Sequence, residues 1–264
     1  MNVLITGASG GIGFAVAKYL AGKGIHVYAC DIAGRDFGDD NITFIRMDVS
    51  DEKDIEKVFR LLTEKEVTLD AIVNIAGIFA IDSFIEVEND LLRRIFDVNT
   101  LGTMYVNKIM YPLLKKDGRI VITTSEVAPL DPMPYNGIYN VSKTALDSYS
   151  QSLRQELNLL GQKVITVRPG AFNTSLAQGS LVKTKELTEK TVLYKKQSAN
   201  FYQLVKMFMG KPRDPERIAP TYYKAVTKKH PRIIYSKHLN ILLILMSLLP
   251  KRAQCFIVKL LLKL

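Results

Sequence analysis

Short apolar runs alternate with longer amphipathic stretches from residue 2 to about residue 168. That rhythm predicts strands joined by helical crossovers, an α/β doubly wound parallel sheet (Rossmann-type) forming a single domain. Strands are expected at 2–6, 25–30, 42–47, 69–74, 118–124 and 163–168, with a last one at 231–235. A glycine turn at 6–13 opens a helix through Lys23, and Gly24 stops it because glycine takes the left-handed cap conformation. A long helical pattern runs over 88–114. Asn99 and Gly102 are poor helix-interior residues, which predicts a local break there with a polar side chain turned inward. Further helices are expected from Tyr139, over 214–229 and over 253–264, whereas 32–41 is too short and too polar for one.

Composition narrows the class. A hydrophobic share of 47% over 264 residues supports a sizeable core and excludes a disordered chain. Cys30 and Cys255 lie far apart, so there is no disulfide framework and no metal-ligand spacing; a reducing, cytoplasmic setting is expected. The chain opens directly into a strand, and no signal peptide is expected. Charge is uneven: residues 1–160 carry 16 basic and 22 acidic residues, residues 161–264 carry 20 and 4. This asymmetry points to an anionic partner for the second half, or to a solvated basic face. No recognition motif or regular aromatic–basic interleaving supports nucleic acid, and none is expected as a partner.

The candidate chemistry lies at strand ends. Thr6-Gly7-Ala8-Ser9-Gly10-Gly11-Ile12-Gly13 sits between a strand and a helix, where glycines permit a tight turn and backbone N–H groups meet a pyrophosphate. Asp31, twenty residues beyond Gly11, would accept hydrogen bonds from an adenosine ribose and repel a 2′-phosphate. NAD is therefore preferred over NADP, although Arg35 stands close by. Asp48-Val49 offers a carboxylate to an adenine amine or caps a helix with Ser50 and Asp51, and Asn74-Ile75-Ala76-Gly77 lets the chain pass close to the ribose. Ser125 ends the fifth strand, at the edge where ligands of parallel sheets collect. Tyr139 and Lys143, one helical turn apart, share a face, and the ammonium is expected to lower the phenol's pKa for acid–base work.

Together TGASGGIG at 6–13, NIAG at 74–77, Asn99, Ser125, YNVSK at 139–143 and Arg168-Pro169-Gly170 resemble the short-chain dehydrogenase/reductase family, in its compact branch. The likeness covers roughly residues 1–175. It implies that Tyr139 is the acid–base residue and that Lys143 lowers its pKa while holding the nicotinamide ribose. Ser125 would steady the reacting oxygen, with Thr124 as fallback because the gap of fourteen to Tyr139 is one longer than usual. Asn99 would hold a relay water, and Pro169, Gly170 and Thr174 would border the nicotinamide. It further implies a homo-oligomer, dimer or tetramer, paired through the helix of Tyr139. A non-catalytic dinucleotide sensor is the competing class, but it has no chemical need for Asn99, Ser125, Tyr139 and Lys143 together.

The catalytic domain is expected to span 1–236, with a lid insertion at 174–212 and an apolar, basic extension at 237–264. Leu176, Leu181, Val192, Leu193, Tyr194, Phe201, Tyr202, Leu204, Val205, Met207, Phe208 and Met209 give the lid an aromatic and methionine character. It either covers a bulky apolar alcohol or ketone of steroid, retinoid or lipid type, or simply packs on the core. Residues 237–264 hold five basic side chains and no acidic one. The run 239–249 is too short to span a bilayer. The tail is expected to lie on an anionic membrane surface, dock on a sister subunit, or wall the substrate entrance.

Overall fold

A computed structural model describes residues 1–208 and 212–263, without the side chains of 175–178 and 208. Seven parallel strands form one sheet in the order β3-β2-β1-β4-β5-β6-β7. They are β1 (Asn2–Thr6), β2 (His26–Asp31), β3 (Ile42–Arg46), β4 (Leu69–Asn74), β5 (Leu114–Thr123), β6 (Lys163–Pro169) and β7 (Ile234–Lys237). The central strands are almost continuously apolar because helices cover both faces. On one face α1 (Gly11–Ala21) and α8 (Ala219–Thr227) bring Val16, Leu20 and Tyr222 against Val3, Ile5 and Val167. On the other, α2 (Glu52–Glu64), α4 (Gly102–Met110) and α5 (Gly137–Asn158) bring Ile55, Val106 and Leu146 against Leu4, Ile72 and Ile120. The period-two alternation of Val3, Leu4 and Ile5 between these faces is the strand pleat expressed as packing.

Order reverses between β1 and β4, and the crevice opened there lies beyond the strands' carboxyl ends. Two glycines make the crevice turn possible. Gly7 has φ +68°, and a Cβ there would sit 2.7 Å from the Ala76 backbone. A Cβ on Gly13 would lie 1.9 Å from the Gly7 carbonyl oxygen.

Several boundaries depart from the pattern. The helix after the glycine turn ends at Ala21, and Gly24 then takes φ +75° in the loop before β2. The pattern over 88–114 resolves into α3 (Asn89–Phe96), a π-helical turn over Asp97–Leu101, α4, and a 3₁₀ turn over Tyr111–Leu113. β5 begins at Leu114 rather than 118, because Leu114 pairs with Leu69 ahead of an irregularity in the ladder. Pro220 and the 3₁₀ turn Pro215–Arg217 shorten the helix expected over 214–229. β7 is displaced toward the C-terminus from 231–235, with Ile234 the first residue paired to β6. The lid holds two helices, α6 (Ser175–Lys190) and α7 (Lys195–Phe208); Phe201, Leu204 and Val205 repeat along one face of α7. The tail forms α9 (Ile241–Ser247) and α10 (Lys251–Lys263). The side chains of Leu176 and Phe208, and all of Met209, lie outside the described residues.

Gly13→Ala should force the glycine turn apart. The expected outcome is a urea-unfolding stability lower by about 1–3 kcal/mol, together with weakened dinucleotide binding in a fluorescence titration.

Candidate active site

The glycine turn suits an anionic ligand. No side chain caps the N-terminus of α1, and its first turn has no acidic residue, so the leading N–H groups and the helix dipole are available to a pyrophosphate. Ile12 and Gly77 line the adjoining cavity. A Cβ on Gly11 would come within 2.6 Å of Thr174 Cγ2, which places Thr174 over the turn. Asp31, the last residue of β2, accepts hydrogen bonds from Ser9 N at 2.9 Å and Ala33 N at 3.2 Å. Arg35 donates to the Ser9 carbonyl and stacks 3.3 Å from the centre of the Phe14 ring. The residues therefore fit a dinucleotide.

Asp48 accepts from both the backbone and the hydroxyl of Ser50, while Asp51 caps α2 through Lys53 N. Val49 is buried, and its carbonyl oxygen would lie 2.7 Å from a Cβ on Gly102. Asn74 ends β4 and donates to Asn107 Oδ1. Beside it, Ile75 N and Ala76 N donate to the Thr6 hydroxyl. Gly77 serves a purpose that its composition did not show: a Cβ there would be 3.2 Å from both Lys143 Nζ and Asn99 Oδ1.

The catalytic candidates converge where β5 ends and α5 begins. Tyr139 is buried, lies close enough to the Ser125 hydroxyl for that group to favour its phenolate, and packs edge-on against Phe79 at 4.9 Å. Thr124, the alternative to Ser125, donates instead to Asp147 at 3.1 Å. Lys143 is buried and donates to the Thr123 carbonyl at 3.3 Å. Asn99 is fully buried in the π-helical turn, donates to Ile78 O and the Ser142 hydroxyl, and accepts from Ile78 N. The expected inward-facing break is present. Its carboxamide braces the 77–78 turn against α5, so a relay water would have to rely on other atoms too.

One expectation is reversed. Burial pushes the Tyr139 phenol up to about 12, with the nearby Ser125 hydroxyl opposing and Glu126 adding to the rise. Burial also lowers Lys143 to about 8. Lys143 Nζ stands 6.0 Å from the Tyr139 ring centre and is turned to Thr123, so desolvation outweighs the attraction expected from helical spacing.

Beyond this cluster opens a cavity of about 1110 Å³. Ser125, Tyr139, Lys143, Pro169, Gly170 and Thr174 line its inner part, and Leu181, Phe201, Leu204 and Val205 of the lid cover it. Val192, Leu193 and Met207 point to solvent instead. The lid is pinned at its turn by Lys190 to Asp82 and by Thr191 to Glu86. Leu243 and Met246 of α9 form part of the wall, so the tail borders this cavity.

Sequence reading missed three features. Glu126 lines the cavity, is raised above the usual carboxylate range by burial, and accepts from Asn240 N at the start of α9. Asn136 Oδ1, in a residue of the cavity wall, is buried with no hydrogen-bond partner among the described residues. Arg168 grips Asp147 with two hydrogen bonds, at 2.9 and 2.6 Å, tying β6 to α5. None belongs to a local spacing pattern.

Comparison with known proteins agrees with this geometry. The description of the short chain dehydrogenase family matches residues 1–185. A 3-amino-tetrahydro-pyrrolizinone reductase of Xenorhabdus hominickii is 33% identical over 211 residues, 76% of this chain and 73% of that protein. Estradiol 17-beta-dehydrogenase 2 of Mus musculus is 33% identical over 186 residues, which cover 66% of this chain but only 49% of that longer protein. A crystal structure of a short chain dehydrogenase family protein from Francisella tularensis superposes with a TM-score of 0.73 at 27% identity, covering 86% of this chain and 91% of that one. The chain therefore belongs to the short-chain dehydrogenase family, and it is an oxidoreductase that acts on CH–OH groups with a nicotinamide nucleotide.

Proposed function

We propose that this enzyme interconverts an alcohol and a carbonyl on a bulky apolar molecule of steroid, retinoid or acyl-lipid type, with NAD(H) preferred. The observation that carries the reading is the cavity of about 1110 Å³, with two hydroxyls at its inner end and mainly apolar walls. The nicotinamide would fill the end lined by Gly77, Pro169, Gly170 and Thr174, and the space walled by Phe201, Leu204, Leu243 and Met246 would be left for an apolar substrate. The steroid alcohol named for the mouse relative agrees with that shape.

Tyr139 and Ser125 are neighbours that both line the cavity. A substrate oxygen placed between them would meet two O–H groups, one exchanging a proton and one steadying charge. A phenol near 12 is protonated at neutral pH, which suits donation to an alkoxide as a carbonyl is reduced. When bound, the nicotinamide supplies the hydride chemistry and, oxidised, a positive charge in the same cleft. Lys143 would orient the adjoining ribose and, as a cation, favour the phenolate needed for alcohol oxidation. Pro169, Gly170 and Thr174 would border the nicotinamide, and the Gly7–Gly13 turn would hold the pyrophosphate.

Asp31 supports the NAD preference, because a fixed carboxylate beside a ribose disfavours a 2′-phosphate. Its oxygens are already oriented by Ser9 N and Ala33 N. Arg35 stands ready should that charge be removed.

Three outcomes are expected. Tyr139→Phe should lower kcat/KM by about 10²–10⁴-fold while leaving nucleotide affinity within a few-fold; a near-normal rate, followed by nicotinamide absorbance, would remove Tyr139 from its role. Asp31→Asn should raise the NADP-to-NAD ratio of kcat/KM by about ten-fold or more, equivalent to at least 1.4 kcal/mol; an unchanged ratio would detach the preference from this carboxylate. The third concerns pH. An unfolded lysine keeps its proton to about 10.4, whereas folded Lys143 releases it near 8. Over that window the unfolded state binds more protons, so Lys143 makes stability rise with pH. Melting temperatures from pH 7 to 10 should therefore climb more steeply, or fall less, in the wild type than in Lys143→Met.

A further inference from the structure

The tail uses only part of its surface to hold itself in place. Asn240 N donates to Glu126, and Asp131 binds Ser247, Lys251 and Gln254, so α9 and α10 are fixed to the loop that follows Ser125. Leu262 on the inner side of α10 is buried among Phe201 and Leu187 of the lid. The outer side is apolar without being covered: Ile241 is 70% exposed, Phe256 67% and Leu260 51%. On α10 these side chains are interleaved with exposed Arg252, Lys259 and Lys263, and residues 237–264 contain no carboxylate side chain.

Leu242 and Leu245 of α9, and Leu248 just after it, line the cavity and are also more than half exposed, so they form the rim of its mouth. The exposed apolar face of the tail therefore continues into the cavity. No helix among the described residues is long and apolar enough to cross a membrane. Apolar side chains set among lysines and arginines on a fixed, short helix suit the plane of a bilayer surface, where acyl chains receive the former and anionic headgroups the latter. A second copy fits less well, because a twofold contact through this face would bring the same cations of both chains together.

We propose that α9 and α10 seat this protein in the plane of an anionic lipid surface, with the leucine rim of the cavity turned toward the bilayer. Seating depends on the outer face of the tail and is independent of which molecule is oxidised or reduced.

The native thiols provide the test, since Cys255 on α10 is exposed and Cys30 is buried. The full chain, labelled at Cys255 with an environment-sensitive fluorophore, is mixed with vesicles of phosphatidylcholine alone or with roughly 30 mol% phosphatidylserine. A blue shift and co-sedimentation on the anionic vesicles, reversed by high salt, are expected. Arg252→Gln and Lys259→Gln should each weaken partitioning about five-fold. The double variant Phe256→Glu and Leu260→Glu should abolish it while nucleotide binding, measured in parallel, persists. Wild-type protein that shows no shift on anionic vesicles overturns the proposal, and this needs no variant to fold. So does a double variant that partitions as well as the wild type. A shift that follows protein concentration without lipid, in a species sedimenting as a dimer, overturns it in favour of a second copy.

Discussion

The structure depends on keeping a phenol and an ammonium out of water at the carboxyl edge of a parallel sheet. Lys143 and Tyr139 are both buried, and each is driven toward its neutral form. Burial of this kind is costly unless the polar atoms find partners. Lys143 finds the Thr123 carbonyl at the end of β5, and the Tyr139 phenol lies beside Ser125, two residues further on, where both line the cavity. The same desolvation leaves the pair responsive to a charged ligand, because interactions strengthen where water is excluded.

The surrounding fold braces that pair. Arg168 and Thr124 both engage Asp147, two helical turns beyond Tyr139, so β5, β6 and α5 are locked at one point. From the opposite side Asn99 and Thr100 in the π-helical turn engage Ser142, within α5 itself. The widened turn turns Asn99 inward, and Gly77 leaves room for its carboxamide and for the lysine. Residues far apart in the chain thus meet around one helical turn, which is how a scaffold fixes the geometry of a reacting site.

Much of this was legible in the sequence because it is encoded locally. The glycine turn, Asn99, Ser125 and the Tyr139–Lys143 spacing each depend on a few adjacent residues, and the parallel sheet follows from the alternation of apolar runs with helices. What escaped depends on tertiary contact. Whether Ser125 or Thr124 faces Tyr139 is decided by Asp147 drawing Thr124 away. The sign of the phenol's shift required knowing how deeply it is buried, since helical spacing reports only the attraction of a neighbouring charge. Glu126 and Asn136 acquire meaning only once the cavity exists. β7 begins later than its apolar pattern suggested because pairing with β6, rather than hydrophobicity, sets its first residue.

The cavity joins these local facts, since the lid, the tail and the hydroxyls of Ser125 and Tyr139 border one largely apolar space. The most direct measurement is kcat/KM for NAD-linked oxidation across a size series, from a short aliphatic secondary alcohol to a steroid alcohol with the same reacting group. Each buried methylene contributes about 0.8 kcal/mol, so the account predicts a steep rise with apolar bulk, by about 10²-fold or more. A flat series, or one that favours the shortest alcohol, would contradict it.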